Sequence, residues 1–373
     1  MTNFYQSLAE AFNKRPDAPA LILKDRPDWS YGDLIDRVNQ LAQVLLANEV
    51  EPGDRVMVQV DKSPENLALY LATLKVGGVY VPLNTAYTEA ELDYFVTDAQ
   101  PQLFVGAEQR AGVNCLTLNE HGEGSLMLAA KSAANANECE TVGRGEQDLA
   151  AILYTSGTTG RSKGAMLTHR NLSSNARSLS ECWGWRQDDV LLNALPIFHV
   201  HGLFIASHCA LLNGTPMIFH SKFVAEDVFA ALPDCTVLMG VPTFYTRLLQ
   251  QPGLNREHVS NVGVFICGSA PLTEQTFAAW EQATGQRILE RYGMSETIIN
   301  TSNPLNGERV PGTVGFALPD QEVRIADDNG VELPKGEVGT IEMRGPNVFS
   351  GYWNMPDKTA EEIRIDGFFI TGD

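Results

Sequence analysis

Residues 154–164 read Tyr154-Thr-Ser-Gly-Thr-Thr-Gly-Arg-Ser-Lys-Gly164. The apolar residues just before them, 149–154, predict a short buried strand. The stretch that follows has almost no apolar surface, so it cannot pack into a core. Gly157 and Gly160 permit backbone conformations that other residues avoid, which lets amide groups approach a ligand closely. The sequence therefore predicts a strand followed by a phosphate-binding loop, with Lys163 as its mobile cation.

The spacing within this loop differs from that of a Walker phosphate loop. A Walker loop has glycine five residues after its first glycine, followed by lysine and a hydroxyl residue. Counting from Gly157, the corresponding positions hold Ser162, Lys163 and Gly164. Two of the diagnostic positions do not match, so we expect a phosphate loop of another kind.

The composition is that of an ordinary globular protein with 373 residues, and this length predicts two or three subdomains. A formal net charge of −19 argues against nucleic acid or an anionic membrane as a partner. No apolar run is long enough to span a membrane, and the first residues do not form a signal peptide. The cysteines form no Cys-x-x-Cys pair, and we expect reduced thiols in a cytoplasmic protein.

Strands and helices alternate along most of the chain. This alternation predicts an α/β fold with two doubly wound, mainly parallel sheets packed together. We assign residues 1–195 to the first sheet region, with the phosphate loop, and residues 196–303 to the second. Residues 119–147 lose the alternation and predict a surface excursion. Residues 304–373 have short β-rich runs between turns, which predict a small β-barrel-like subdomain.

A second functional stretch reads Glu290-Arg-Tyr-Gly-Met-Ser-Glu296 and follows a predicted strand. Tyr292 offers a flat face on which a purine can stack. Gly293 lets the backbone approach that purine, and Glu296 is suited to hold Mg²⁺ against phosphate oxygens. Another strand exit, residues 266–271, ends in Gly-Ser-Ala-Pro, where ligands of open α/β sheets bind.

These stretches resemble the motifs of the acyl-adenylate-forming superfamily, which includes acid–CoA ligases, luciferases and peptide-synthetase adenylation domains. The loop at 154–164, the run at 290–296 and the ending Phe368-Phe-Ile-Thr-Gly-Asp373 occur in the family's order. Two departures are Ser162, where proline is usual, and Ser295, where threonine is usual. The resemblance implies ATP, Mg²⁺ and coenzyme A as cofactors and co-substrates. It also implies that an acid is activated as acyl-AMP and then transferred to the CoA thiol.

The resemblance also implies the site residues. It gives catalytic roles to Lys163, Glu296 and His201, and metal binding to Glu296 and Thr155. The implied ATP site comprises Thr155, Ser156, Gly157, Thr158, Thr159, Gly160, Lys163, Gly268, Ser269, Ala270, Pro271, Glu290, Arg291, Tyr292, Gly293, Met294, Ser295 and Asp373.

Two arginines, Arg247 and Arg291, lie near the predicted acid pocket. Arginine fits there if the substrate keeps a second carboxylate, because a buried lone anion is costly unless paired. The surrounding stretches look like those of malonyl-CoA synthetases, which implies malonate as the acid. We expect Arg247, Arg291, His201 and Ser269 to bind it. Alternatives are a ligase for oxalate or methylmalonate, or a non-catalytic nucleotide- or acyl-adenylate-binding module. A peptide-synthetase adenylation domain is less favoured, since no aspartate for an amino group is evident.

The sequence ends at Asp373, directly after a predicted strand. In the resembled family a hinge and a small mobile domain with a catalytic lysine follow this aspartate. We therefore expect this chain to be the large N-terminal domain, without the mobile C-terminal domain and with low or no overall activity. The expected partners are the small molecules malonate, ATP and CoA. The sequence gives no prediction of the oligomeric state.

Overall fold

The computed structural model describes residues 3–133, 139–155 and 161–373. Its α-helices are, in chain order, α1 Phe4–Lys14, α2 Tyr31–Ala47, α3 Pro64–Lys75, α4 Glu89–Ala99, α5 Ser125–Ser132, α6 His169–Cys182, α7 His208–Asn213, α8 Ala225–Ala231, α9 Pro242–Leu248, α10 Glu274–Thr284 and α11 Pro356–Glu362. A π-helix, His201–Ser207, runs directly into α7, and a 3₁₀-helix spans Leu232–Asp234.

The strands are, in chain order, β1 Pro19–Ile22, β2 Trp29–Ser30, β3 Arg55–Gln59, β4 Val79–Pro82, β5 Leu103–Gly106, β6 Cys115–Thr117, β7 Leu149–Thr155, β8 Lys163–Thr168, β9 Leu191–Asn193, β10 Met217–Phe219, β11 Val237–Gly240, β12 Val264–Cys267, β13 Leu289–Tyr292, β14 Thr301–Ser302, β15 Phe316–Ala317, β16 Glu322–Ala326, β17 Thr340–Arg344 and β18 Phe369–Ile370.

One sheet has six strands in the order β6-β5-β3-β4-β7-β8. Its pairs are parallel except for β7 and β8, which form an antiparallel pair. Helix α3 begins at the cap Ser63, whose hydroxyl accepts from the Asn66 amide, and every residue of this helix is buried. A helix that is buried on all sides packs between layers, so α3 lies inside the molecule and not on its surface.

The second sheet has nine strands in the order β15-β14-β13-β12-β11-β9-β10-β1-β2. Its central pairs, from β13 to β1, are parallel, and antiparallel strands close both edges. The two predicted α/β sheets are thus present. The assignment by residue number differs, because β1, β2 and β9 lie before residue 196 and yet belong to this second sheet. They join it because β1 pairs with β10, far along the chain.

The predicted β-rich region begins with β15, which extends the nine-stranded sheet. It continues as an antiparallel sheet in the order β16-β17-β18. The strands described there form an open sheet, so the barrel-like closure is corrected to a small sheet. Glu342 on β17 is fully buried in it, and it pairs with Arg324 on β16 and with Arg364.

Strand β7 confirms the predicted strand before the phosphate loop. A strand that was not predicted, β8, follows the loop and pairs antiparallel with β7, with Thr155 opposite Lys163. Residues 119–147 contain helix α5, whose Leu126, Met127 and Ala130 are buried. The prediction of a surface excursion is wrong for this helix, because small and polar residues outnumber the apolar ones that it buries. Residues 134–138 and 156–160 lie outside the described residues.

Strands of both sheets end in the same region of the molecule. The exits of β7, β9, β11, β12 and β13 all contribute residues to one cavity. Ligands of open α/β sheets bind at this end of the strands. In the described part of the chain, no helix has the length and apolar character needed to cross a membrane.

Candidate active site

A cavity of about 770 Å³ lies at these strand exits. Its lining includes the predicted residues Thr155, Lys163, His201, Ser269, Gly293, Met294, Ser295, Glu296 and Asp373. Stretches that are more than 200 residues apart in the sequence therefore meet at one site. The cavity volume is typical of a site for a small molecule or cofactor.

Lys163 stands at the start of β8, on the wall of the cavity. Its Nζ lies 3.0 Å from Oε1 of Glu362 and 4.2 Å from the centre of the Tyr352 ring. The side chains of Lys163 and Glu362 are 16% and 19% exposed. A partly buried ammonium group beside a cavity can pair with phosphate oxygens as a point charge. In this structure its partner is the carboxylate of Glu362.

Glu296 follows β13 and is buried at the cavity wall. The hydroxyl of Tyr352 lies 3.1 Å from Oε1 of Glu296 and 2.6 Å from Oε2 of Glu362. Burial raises the pKa of Glu296, although Tyr352 and the charge of Lys163 oppose that shift. Burial alone would raise the pKa of Glu362 too, but hydrogen bonds from Tyr352, Lys163 and Lys358 lower it.

The donor set at Glu296 fits Mg²⁺ that is bound mainly through phosphates and water. Mg²⁺ is usually held by one or two carboxylates together with substrate phosphates, and not by a cage of protein ligands. Glu296 supplies one carboxylate at the cavity wall, and Thr155 lines the same cavity. Among the described residues, no group of three or more His, Cys, Asp or Glu side chains could hold a metal ion by itself.

Asp373 lines the cavity and is paired with Tyr292, which is not itself part of the lining. The hydroxyl of Tyr292 donates to Oδ2 of Asp373 at 2.5 Å, and Asp373 is exposed. The backbone carbonyl of Asp373 accepts from the Ile341 amide of β17 at 3.0 Å. Gly293 is required beside Tyr292, because a Cβ there would lie 2.0 Å from the carbonyl oxygen of Ile298. This pair can present a ring face and a carboxylate to a nucleoside.

Arg291 is a buried cation that has no carboxylate partner among the described residues, and it lies next to the cavity without being part of its lining. Its side chain lies against Gly268, where a Cβ would approach the guanidinium carbon to 2.4 Å. Its Nε and Nη2 are buried and have no hydrogen-bond partner among the described residues. Burial lowers the pKa of Arg291 to about 10, which leaves the group charged at neutral pH. An unpaired buried charge is costly, so this arrangement is typical of a site that receives an anion.

His201 and Ser269 lie close to Arg291. The Oγ of Ser269 is 3.2 Å from Nδ1 of His201, while Nε2 of His201 is buried and has no hydrogen-bond partner in the described part of the chain. Burial, followed by the charge of Arg291, holds the pKa of His201 well below its usual range, so its ring is neutral. Ser269 has a φ of 69°, which turns this strand exit sharply. His201 is the first residue of a π-helix, an element that occurs frequently at functional sites.

Several predicted site residues do not reach the cavity. Gly268 is buried against Arg291, whereas Ala270 and Pro271 are exposed on the same turn. Glu290 is buried and accepts from the Gly312 amide at 3.2 Å, so it stabilises the backbone behind the site. Arg247 is exposed on α9.

The guanidinium of Arg247 lies over the Phe223 ring at 5.1 Å, outside the cavity lining. Its position on α9 turns it to solvent, so the structure does not bring it to the acid pocket. The predicted loop residues Ser156, Gly157, Thr158, Thr159 and Gly160 lie outside the described residues.

Ten residues of the lining were not among the predicted site residues, and four of these carry polar side chains: His199, Tyr352, Glu362 and Thr371. Tyr352 follows Gly351 in a turn with no chemical signature, and Glu362 belongs to an acidic pair on a short helix. Such a pair normally indicates a solvated helix face. The only available signal was position: Thr371 lies within the ending 368–373, and His199 lies two residues before His201.

Comparison with known proteins agrees with this geometry. The family described as AMP-binding enzyme matches residues 8–353. This chain belongs to that family. It is 33% identical to malonate–CoA ligase of Arabidopsis thaliana over 94% of this chain, but spans only 65% of that relative. It is 34% identical to the mitochondrial malonate–CoA ligase of Mus musculus, over 92% of this chain and 67% of that one.

Solved structures of the family superpose closely on the chain. The apo crystal structure of MatB from Rhodopseudomonas palustris has a TM-score of 0.94 and 50% identity, covering 99% of this chain and 76% of that one. The ATP-bound form of the same protein gives a TM-score of 0.94 and 51% identity, with the same coverage. A malonyl-CoA ligase with methylmalonyl-CoA and AMP bound gives 0.83 and 33% identity, covering 96% and 75%.

Proposed function

We propose that this chain binds MgATP and malonate in the cavity and forms malonyl-AMP with release of pyrophosphate. In a second step a CoA thiol displaces AMP to give malonyl-CoA. The single observation that supports malonate most is Arg291, a buried guanidinium with two unpartnered nitrogens beside His201 and Ser269. The names of the relatives support the same acid.

The residues of the site form two groups, one that binds the acid and one that neutralises the nucleotide phosphates. One carboxylate of malonate pairs with Arg291, and His201 and Ser269 offer hydrogen bonds to it. The other carboxylate is then free to attack the α-phosphate. This chemistry depends on positioning and charge neutralisation more than on proton transfer. Lys163 neutralises phosphate charge, and Glu296 with Thr155 would hold Mg²⁺, which supplies further neutralisation.

The nucleoside end is formed by Tyr292 and Asp373. We propose that the purine stacks on the Tyr292 ring and that Asp373 accepts hydrogen bonds from the ribose hydroxyls. The hydrogen bond between these two residues holds the carboxylate in place before the nucleotide arrives. We place the protein in the cytoplasm, because its six cysteines are free thiols, as expected in a reducing compartment.

Methylmalonate is a second candidate acid. One similar structure contains methylmalonyl-CoA, and a methyl group on the central carbon leaves both carboxylates available. Arg291 would pair with the unreacted carboxylate in either case. The two acids therefore differ only in the space beside the central carbon.

An assay of the first half-reaction tests the proposal. The chain is incubated with MgATP and one acid at a time: malonate, methylmalonate, oxalate, octanoate or benzoate. We expect malonate to give the largest pyrophosphate release, with malonyl-AMP visible by mass spectrometry. Acid-dependent pyrophosphate release that is greatest with octanoate or benzoate would contradict the diacid function.

A further inference from the structure

The phosphate-binding lysine of this cavity already has an anionic partner supplied by the chain. Glu362 is the last residue of α11, and its carboxylate lies 3.0 Å from Nζ of Lys163. Its other oxygen accepts the Tyr352 hydroxyl at 2.6 Å. Both carboxylate oxygens thus face the cavity wall, where a nucleotide phosphate would need the same lysine.

We propose that Glu362 competes with the nucleotide phosphates for Lys163 and thereby weakens nucleotide binding. This inference rests on the proposed function, because it requires that nucleotide phosphates approach Lys163. A bound phosphate then displaces the carboxylate, and Lys163 exchanges one anionic partner for another. Losing the Lys163–Glu362 ion pair offsets part of the binding free energy that the new pair between Lys163 and the phosphate contributes.

The position of α11 allows this displacement. None of the residues in α11 is buried, so a change of the Glu362 rotamer disturbs no core packing. A second partner is nearby, since Nζ of Lys358 lies 3.1 Å from Oε1 of Glu362 and can keep the displaced carboxylate paired. The helix itself remains attached, because Oγ1 of Thr359 accepts from the Tyr352 amide at 2.9 Å.

The alternative role of Glu362 is to hold Lys163 in the position that binds phosphate. The two roles predict opposite effects of Glu362→Gln. Glutamine keeps the shape and the acceptor for Tyr352 but removes the charge. Competition predicts tighter nucleotide binding in this variant, whereas positioning predicts weaker binding.

The test measures dissociation constants by calorimetry for ATP with Mg²⁺ and for ATP with a chelator. We expect Glu362→Gln to bind ATP about tenfold more tightly in both conditions, because a charge-assisted pair with Lys163 no longer competes. Glu361→Gln is the matched control: Glu361 lies on the same helix, pairs with Lys358 and has a 66% exposed side chain. Its affinity for ATP should equal that of the wild type.

A double-mutant cycle locates the effect at the lysine. In a Lys163→Ala background, Glu362→Gln should change the dissociation constant by less than about twofold, because the contested partner is gone. Unchanged or weaker ATP binding by Glu362→Gln in the wild-type background would overturn the inference. So would the same tightening in the Lys163→Ala background. Failure of the proposed function looks different: neither the wild type nor any variant would bind ATP.

Discussion

At the scale of single residues, Lys163, Glu296 and Asp373 bring a cation and two carboxylates to the cavity wall, and Tyr292 hydrogen-bonds to Asp373. Each of the four belongs to a short motif near the end of a strand. Glu362 could not be predicted, since its role depends on a contact with Lys163 across 199 positions of sequence.

Arg291 and Arg247 show a related limit of prediction from sequence. Both are arginines near predicted strand exits, and sequence patterns cannot tell which one turns inward. Arg291 on β13 is buried, and Arg247 on α9 is exposed.

The proposed roles of Lys163 and Glu296 in binding the nucleotide give the first prediction. We expect Lys163→Ala and Glu296→Gln each to weaken MgATP binding by at least about tenfold, because each removes a charge from the phosphate end. The free energy of unfolding should change little, since both side chains lie at the cavity wall. Calorimetry and chemical denaturation of the same samples measure both quantities. Wild-type affinity for MgATP in both variants would remove the assigned phosphate site.

Arg291 gives a prediction about stability. A buried charge without a partner carries a desolvation cost, and an apolar side chain of similar size removes that cost. We therefore expect Arg291→Leu to unfold at the same or a higher urea concentration than the wild type, in the absence of ligand. A clear loss of stability in this variant would mean that Arg291 has a structural partner, and that it does not await a substrate anion.

At the scale of elements, predictions were accurate where local signals agree. Ser30, Ser63 and Thr88 are the N-caps of α2, α3 and α4, where a hydroxyl at the N-cap and the apolar spacing after it favour the same helix start. Strand β8 was missed since it is built partly from small and polar residues and is stabilised by pairing with β7. The membership of β1 in the second sheet depends on a partner that is nearly 200 residues away.

The small antiparallel sheet gives a prediction at this scale. Glu342 is fully buried between Arg324 and Arg364, with contacts of 2.7 and 2.6 Å. Breaking a buried pair leaves uncompensated charge, so Glu342→Gln should lower the free energy of unfolding by about 3 kcal/mol. Glu322→Gln is the control, because Glu322 forms an exposed pair with Arg344 on the same sheet and should cost less than about 1 kcal/mol.

The same variant should also affect the nucleotide site. Strand β17 holds the backbone of Asp373 through the Ile341 amide, so a loosened sheet moves this carboxylate. We expect weaker ATP binding in Glu342→Gln and unchanged binding in Glu322→Gln. Equal stability of the two variants in denaturant titrations would show that the buried ion pairs contribute no more than the exposed pair.

At the scale of the whole molecule, two sheets and a small third sheet bring distant motifs to one cavity in a protein of net charge −19. The overall class was predictable, because alternating strands and helices admit few arrangements. The shape and lining of the cavity could not be predicted, because the cavity exists only after both sheets have packed.

Buried histidines make the stability of the whole molecule depend on pH. Burial lowers the pKa of His169 from 6.5 to about 4 and that of His208 to about 3. Between about pH 6.5 and 4 the unfolded chain therefore binds protons that the folded protein excludes. The free energy of unfolding should fall as the pH falls through this window, by up to about 1.4 kcal/mol per pH unit for each histidine.

Chemical denaturation at about pH 7.5 and pH 5 measures this dependence. His208 contacts the Tyr70 hydroxyl at 2.7 Å, so the double variant His208→Phe and Tyr70→Phe removes the titrating group and its partner together. We expect a shallower loss of stability on acidification in this variant than in the wild type. The same loss in both proteins would exclude His208 as a source of the pH dependence.

The central claim is that Arg291 selects a diacid in this cavity. Calorimetric titration with malonate, in the presence of a non-hydrolysable ATP analogue, tests it most directly on the wild type, Arg291→Leu and the exposed control Arg247→Leu. We predict that Arg291→Leu weakens malonate binding by at least about 30-fold, since a buried charge pair contributes 2 kcal/mol or more. Arg247→Leu should bind malonate like the wild type. Undiminished malonate binding by Arg291→Leu, or tighter binding of octanoate than malonate by the wild type, would contradict the claim.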